Sequence, residues 1–257
     1  MKRPALAYVL SLALSLASSS ALAGTIMLSG DSNIGNAVDG SGTGINVGNQ
    51  LFFSNILQSG TNVLILDSGG LIGSLISSQA AIDAFYDAML AVTSTVTSGT
   101  ISDATLAGVD LFITMLPDAF GGSELSALAN FLAAGGTAFF LGENSNTAFT
   151  ATNAAINSAL LALGSGLTLV PDTVDVGFNT TASIGAHAFT AGVTSFTYAA
   201  TSRVSGGTPL FFTLTGNRPF VAVEQVEAVP EPSTLLLLGA GIAGLVRHRR
   251  RVHPSRD

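Results

Sequence analysis

Four short segments without a charged side chain recur along the first part of the chain, and each is predicted to be a buried strand. They are Thr25–Gly30, Val63–Leu66, Leu111–Met115 and Thr137–Leu141. Segments with helical periodicity follow them, and these are Gly48–Gln58, Ser78–Val92, Glu124–Ala134 and a stretch that begins at Thr152. Because strands covered on both faces are continuously apolar, this alternation favours a parallel sheet between helices. Right-handed crossovers then predict a three-layer, doubly wound, mostly parallel α/β fold.

Polar residues and glycines predict where these helices begin and end. Ser123 and Thr152 are expected to be N-caps, since their hydroxyls can accept a hydrogen bond from a free backbone N–H. Gly60 and Gly135 are expected at C-caps. The segment from Thr93 to Thr100 is rich in Thr and Ser and fits neither a helix nor a strand clearly.

The segment from Leu167 to Val226 has a different pattern. Leu167–Val170, Thr173–Val176 and Ser195–Ser202 are predicted strands. Leu210–Leu214 and Phe220–Val226 flank a turn sequence, which is typical of a β-hairpin. The sheet is therefore expected to end in antiparallel C-terminal additions.

Three segments resemble the glutamine-amidotransferase-like (flavodoxin-like) α/β superfamily. They are Leu106–Leu111, the helix–Gly–Gly–strand–turn unit from Phe131 to Asn144, and His187–Val193, where Ala188 replaces the usual proline. Active members of this superfamily carry a nucleophile on the turn after the central strand. The chain has no cysteine, so the resemblance implies one of the non-catalytic branches.

The N-terminus has the three parts of a secretory signal peptide. Lys2 and Arg3 form a basic start, Ala5–Leu16 is apolar, and an A-x-A cleavage site runs from Ala21 to Ala23. Cleavage before Gly24 predicts a signal peptide at residues 1–23 and a core domain at residues 24–228. The secretion translocon and signal peptidase are the partners that this segment implies.

The C-terminus joins a Pro-rich motif, an apolar segment and a basic cluster without a gap. Pro230, Glu231 and Pro232 form the motif, and Leu235–Val246 is predicted to be a short transmembrane helix. The basic cluster that follows consists of Arg247, Arg249, Arg250 and Arg251. It favours a cytoplasmic location for the last residues, 252–257. An ordinary membrane anchor is the alternative, although a stable span usually takes ~20 apolar residues.

This tail, from Val229 to Arg251, resembles a PEP-CTERM sorting signal. Such signals occur on exported proteins of Gram-negative bacteria that make exopolysaccharide. The resemblance implies that a membrane protease of the exosortase type cuts near Pro230 and Pro232. It also implies passage through the inner membrane and a final place at the cell surface or in the extracellular, biofilm-forming matrix.

The charge of the exported core excludes one class of partner. Between the two signals, Arg203 and Arg218 are the only basic residues against 14 acids, which gives a net charge of −12. Nucleic-acid binding depends on Lys and Arg contacts to phosphate, so we expect no nucleic-acid partner. The acidity permits Ca²⁺ binding, but solubility of an exported protein is the simpler explanation.

Glu143 and His187 are the candidate catalytic residues. Glu143 follows a predicted central strand, and His187 is the one histidine between the two signals. Together with Ser145 or Ser29 they would supply the groups of a nucleophilic site. Structural roles, in which Glu143 binds loop amides and His187 stabilises a loop, are favoured over catalysis, because a lone histidine in a loop is more often structural. No G-x-S-x-G motif supports a hydrolase.

A candidate ligand rim lies where the parallel strands are predicted to end. Its members are Asp31, Asp67, Asp118, Glu143 and Asn144. Ligands of open α/β sheets bind at this edge, so a cation or sugar site is one hypothesis. The alternative is that these residues only cap helices and turns. The glycine-rich run from Asp39 to Gly44 has no Lys and is better explained as a surface loop than as a phosphate-binding loop.

The leading hypothesis from the sequence is a non-enzymatic protein of the cell surface or exopolysaccharide matrix, with a core that binds or supports other components. The alternative is an exported hydrolase of polysaccharides or their esters, using Glu143 and His187.

Overall fold

The computed structural model of the protein describes residues 24–36, 44–67 and 74–226, without the side chains of residues 74 and 75. These described residues belong to one compact unit. The predicted signal peptide, the sorting tail and most of the glycine-rich run lie outside the described residues. Within those residues, no helix has both the length and the apolar character needed to cross a bilayer.

The described residues contain eleven β-strands. In chain order they are β1 Gly24–Ser29, β2 Asn62–Leu66, β3 Thr93–Thr97, β4 Leu111–Met115, β5 Thr137–Leu141, β6 Thr168–Val174, β7 Asn179–Thr181, β8 Phe196–Tyr198, β9 Thr201–Ser205, β10 Thr208–Phe212 and β11 Pro219–Val226. Seven of them form the main sheet, in the order β10-β11-β1-β5-β4-β2-β3. The other four form two ribbons, β6–β9 and β7–β8.

The main sheet is parallel from β1 to β3 and antiparallel at its other end. β1, β5, β4, β2 and β3 run parallel to one another, whereas β11 pairs antiparallel with β1 and with β10. The predicted mostly parallel sheet with antiparallel C-terminal additions is confirmed. The Thr-rich segment with no clear assignment is β3, an edge strand, where one-sided pairing leaves polar side chains exposed.

Two predicted strand boundaries are wrong. The segments predicted at Leu167–Val170 and Thr173–Val176 are one strand, β6, with an irregular register against β9. The segment Ser195–Ser202 is divided between β8 and β9, which belong to different ribbons. The chain turns between these ribbons at Ala199, whose N–H donates to a buried carboxylate, Asp31. That contact cannot be inferred from local periodicity.

Helices cover both faces of the main sheet. The helices are α1 Val47–Leu57, α2 Ser74–Asp87, α3 Asp103–Leu106, α4 Gly122–Ala133 and α5 Thr150–Ala162. The buried side chains of α1 and α2 pack in one hydrophobic cluster, and those of α3, α4 and α5 in another. Side chains of a strand alternate between the clusters, as Ile26, Met27 and Leu28 do in β1.

Three of the predicted helix caps are replaced by neighbouring residues. Gln58, with φ of 55°, closes α1 in place of Gly60. Gly60 is needed instead because the backbone there passes close to Asp110. A Cβ added at Gly60 would lie 2.5 Å from the Cβ of Asp110. Ser123 lies inside α4, and the preceding N–H of Gly121 donates to the Glu124 carboxylate at 2.8 Å.

The fifth helix starts earlier than its predicted cap. Thr152 lies within α5 because a 3₁₀ turn, Thr147–Phe149, leads directly into the helix. Asn146 begins that turn, and its side-chain oxygen accepts a hydrogen bond from the N–H of Ala148 at 3.1 Å. This extension places the start of α5 beside the turn that follows β5.

Candidate functional site

The candidate site lies at the carboxyl edge of the parallel sheet, where β1 and β5 end side by side. Ser29 of β1 is in register with Leu141 of β5, so the turns that follow these two strands are neighbours. Asp31 lies in the first turn and Glu143 in the second. Their exposed fractions are 0% and 1%. The fold therefore buries two carboxyl groups at one place.

The carboxylate of Asp31 accepts three hydrogen bonds. Its Oδ1 accepts from the N–H of Asn33 at 2.8 Å and from Nδ2 of Asn33 at 3.0 Å. Its Oδ2 accepts from the N–H of Ala199 at 2.6 Å. The carboxylate thus closes the turn after β1 and joins it to the connection between β8 and β9.

Glu143 uses both of its oxygens. Oε2 accepts from Oγ of Ser32 at 2.8 Å and from Nδ2 of Asn33 at 3.1 Å. Oε1 accepts from the N–H of Asn144 at 3.0 Å and from Nδ2 of the same residue at 2.7 Å. Asn153 of α5 holds the backbone, since it accepts from the Glu143 N–H and donates to its carbonyl. Asn33 therefore bridges the two acids.

Burial changes the protonation of this pair. Desolvation raises the pKa of Asp31 to about 6. Desolvation and, second, the charge of Asp31 raise the pKa of Glu143 to about 8. Both arginines of the described residues make their ion pairs with Asp172 instead. Burial therefore favours the neutral form of each carboxyl group, and the charge of Asp31 adds to this effect on Glu143.

The other two acids of the predicted rim lie elsewhere along the same edge. Asp67 and Asp118 line a cleft of about 230 Å³ together with Glu124. Asn144 remains with Glu143, so the rim is split into two parts. Within the described ranges, no group of three or more Asp, Glu, His or Cys side chains is arranged to hold a metal ion.

His187 belongs to a separate hydrogen-bond network. Its Nδ1 accepts from the N–H of Phe189 at 3.1 Å, and its ring lies 4.8 Å from the ring of Phe189. Partial burial lowers the pKa of the imidazole. Among the described residues, no hydrogen bond joins His187 to Glu143. The imidazole caps its own 3₁₀ turn.

The carboxyl pair and the His187 turn contact different parts of helix α1, so they are separated along it. Asn49, near its start, donates to the carbonyl of Ile34, beside the carboxyl pair. Asn55 donates to the carbonyls of Phe189 and Ala191, beside His187. Asn55 is six positions after Asn49, which corresponds to about 9 Å of helix.

The two candidate serine nucleophiles also have structural partners. Ser29 is buried, and its Oγ donates to the carbonyl of Asp31 at 2.8 Å. Oγ of Ser145 lies 2.9 Å from the hydroxyl of Thr173. Neither hydroxyl contacts His187, so the described residues bring together no serine–histidine pair. What the carboxyl pair can do chemically is bind backbone and side-chain donors and hold a proton.

Several residues of this network were not singled out from the sequence. Ser32, Asn33, Asn153, Ala199 and Ser202 complete it, and Oγ of Ser202 donates to the carbonyl of Glu143 at 2.9 Å. The Asp-x-Asn spacing of Asp31 and Asn33 is a local signal for a side-chain-closed turn. Asn153, Ala199 and Ser202 come from distant parts of the chain and carry no such signal.

Comparison with known proteins finds a sorting motif in one segment of the chain. Residues 228–251 match the PEP-CTERM protein-sorting motif. No curated protein matches the chain. Among solved structures, the mmIFT52 N-terminal domain is similar, with a TM-score of 0.45 and 19% identity over 61% of this chain and 81% of that one.

The sorting motif indicates the route that the protein takes. A PEP-CTERM signal implies export and processing by exosortase, a membrane protein, before the protein reaches the surface. The tail that resembles this signal from Val229 to Arg251 is therefore confirmed as a PEP-CTERM motif.

Proposed function

We propose that this protein is an exported, exosortase-processed component of the cell surface or exopolysaccharide matrix of a Gram-negative bacterium. Its α/β domain acts there as a non-enzymatic binding or structural module. The observation that carries the proposal is the sorting motif at residues 228–251. The hydrogen-bonded state of Asp31 and Glu143 supports the non-enzymatic part, because their acceptor oxygens are already used within the fold.

We also propose that the domain is a non-catalytic relative of the glutamine-amidotransferase-like fold. Two features support this: Glu143 follows a central parallel strand, and the chain has no cysteine to act there. Superposition of β1, β5, β4 and β2 on a solved amidotransferase domain tests it. A different strand order in that domain would reject the relationship.

Processing is tested by mass spectrometry of the C-terminus in the host. We expect the wild-type protein to lose its tail near Pro230 and Pro232, and a variant with both prolines changed to Ala to keep it. Arg256→Ala, outside the matched segment, is the control and should be processed normally. An uncut wild-type tail in a host that contains an exosortase would refute the proposal.

Matrix association is tested by co-sedimentation of the host-processed protein with exopolysaccharide from the same host, with and without Ca²⁺. Saturable pelleting is expected. Its absence under both conditions would remove the matrix from the proposal, while the processing result would still establish the route of export. Screening the same protein for hydrolysis of that polysaccharide tests the non-enzymatic part, which measurable turnover would overturn.

A further inference from the structure

The two arginines of the described residues lie together, although the chain brings them from different strands. Arg203 belongs to β9, and Arg218 directly precedes β11. Both reach Oδ2 of Asp172: Nε of Arg203 forms a close ion pair with it, and Nη1 of Arg218 lies 4.0 Å away. In a core with a net charge of −12, this is the one place among the described residues where cationic groups gather.

These arginines stand at a groove between the β6–β9 ribbon and the β10–β11 hairpin. The groove has a volume of about 320 Å³, within the ~300–1,000 Å³ typical of small-molecule sites. Its lining combines both arginines with three partly exposed apolar side chains, Val170, Pro209 and Pro219. An apolar lining with few charged groups is typical of a site for a small organic anion.

The arginines still have donors available for a ligand. A guanidinium has five N–H donors, and the hydrogen bonds of Arg203 use only its Nε. The guanidinium of Arg218 donates no hydrogen bond to another described residue, and half of its side chain is exposed. Its Nε lies close to the turn at Gly216, 3.1 Å from the position that a Cβ would take there.

The acids around the groove are already engaged. Asp172 accepts from the N–H of Arg203 at 2.9 Å and orients that side chain. On adjoining segments, Asp175 accepts from the N–H groups of Leu214 and Thr215, and Glu224 accepts from the N–H of Gly166. The residues that line the groove include both arginines and no acid, and Asp172 is the carboxylate that pairs with them.

We propose that this groove binds a carboxylate-bearing sugar, such as the uronic acid units of an acidic polysaccharide. A guanidinium matches a carboxylate through two parallel N–H···O bonds, and the apolar floor suits the C–H face of a sugar ring. Nucleic acid, with a charge every ~1.7 Å, would be repelled by the remaining acids. The inference rests on the proposed matrix function and names the chemical group that the domain would recognise there.

The test is calorimetric titration of the host-processed protein with tetragalacturonate, and with its methyl ester as the uncharged form of the same sugar. We expect the acid to bind and the ester not to bind. Arg218→Gln should weaken binding by roughly tenfold to a hundredfold, the loss of one charge-assisted contact. The affinity of Arg218→Lys for tetragalacturonate should lie between those of the wild type and Arg218→Gln. Lys keeps the positive charge but cannot form the two parallel hydrogen bonds of a guanidinium.

Ser123→Glu is the matched control. It makes the same change of net charge on the exposed first turn of α4, remote from the groove lining, and should bind like the wild type. Equal binding of acid and ester, no binding of the acid, or unchanged affinity in Arg218→Gln would each overturn the inference. So would equal competition by sodium sulfate, which would indicate a site for small inorganic anions.

The two experiments distinguish failure of the carboxylate-binding groove from failure of the proposed matrix function. If the protein pellets with host exopolysaccharide but tetragalacturonate does not bind, the matrix role stands and this ligand class is rejected. If tetragalacturonate binds and Arg218→Gln loses both binding and pelleting, the groove is the contact with the matrix.

Discussion

Asp31 and Glu143 accept hydrogen bonds from the same nitrogen, Nδ2 of Asn33, at 3.0 and 3.1 Å. Two acids from different strand ends therefore share one donor in a buried site. Such an arrangement is stable only when their combined negative charge is limited, because no basic side chain of the described residues pairs with them. Protonation is how the site limits that charge.

The first prediction is that stability falls as pH rises from 5 to 9. The pKa of Asp31 is raised from 3.8 to about 6 and that of Glu143 from 4.5 to about 8. The folded state thus binds more protons than the unfolded state in this range. The stabilising contribution is fully present below the unfolded values and is lost as pH rises through the folded ones.

Urea unfolding at several pH values measures this trend. In Glu143→Gln, position 143 no longer titrates. The free energy of unfolding of this variant should therefore change less with pH between about pH 7 and 9 than that of the wild type, whatever its value at pH 5. A wild-type free energy of unfolding that stays constant or rises between pH 6 and 9 would contradict the prediction.

The second prediction concerns the coupling of the two acids. In Asp31→Asn the neighbouring charge that helps to raise the pKa of Glu143 is absent. We expect the pH-dependent loss of stability to move to lower pH. The variant should also lose about 1–3 kcal/mol at pH 5, because an amide cannot accept all three hydrogen bonds of the carboxylate. An unshifted pH profile would show that the two acids titrate independently.

The third prediction tests the aromatic core on the α1 side of the sheet. Phe52 is fully buried, and its ring makes edge contacts with Phe139, Phe196 and Phe211 at centroid distances of 6.0, 5.3 and 5.1 Å. Phe52→Ala should lower the free energy of unfolding by about 3–5 kcal/mol. Leu161→Ala is the control, since Leu161 is 77% exposed and should change stability by less than about 0.5 kcal/mol. Both variants are compared by thermal unfolding. Equal losses of stability in Phe52→Ala and Leu161→Ala would contradict the placement of Phe52 in the core.

The fourth prediction compares two exposed aspartates. Asp110 accepts from the N–H groups of Thr61 and Asn62 at 2.7 and 3.0 Å, which fixes the start of β2 against β4. Asp110→Ala should cost about 1–2 kcal/mol. Asp118 accepts no hydrogen bond from a described residue, so Asp118→Ala should leave the unfolding midpoint unchanged. Equal midpoints for the two variants would refute the role of Asp110.

Local patterns predicted the elements that depend on local chemistry. The apolar runs of β1, β2, β4 and β5 gave their strands because a strand covered on both faces needs such a run. The hairpin of β10 and β11 followed from its turn sequence. Helix caps were less predictable, since Gly60 serves a contact with Asp110 rather than the end of α1. Thr-rich β3 was ambiguous because pairing with β2, not its own composition, makes it a strand.

The sequence alone determined that the chain carries a sorting signal, because the parts of that signal are contiguous and are recognised as a linear segment. It also determined that Asp31 and Glu143 follow strands. Only the tertiary structure decided that these acids meet while Asp67 and Asp118 lie apart from them. Only the tertiary structure brought Arg203 and Arg218 to Asp172. The physical reason is strand order and register, which local residue patterns do not encode.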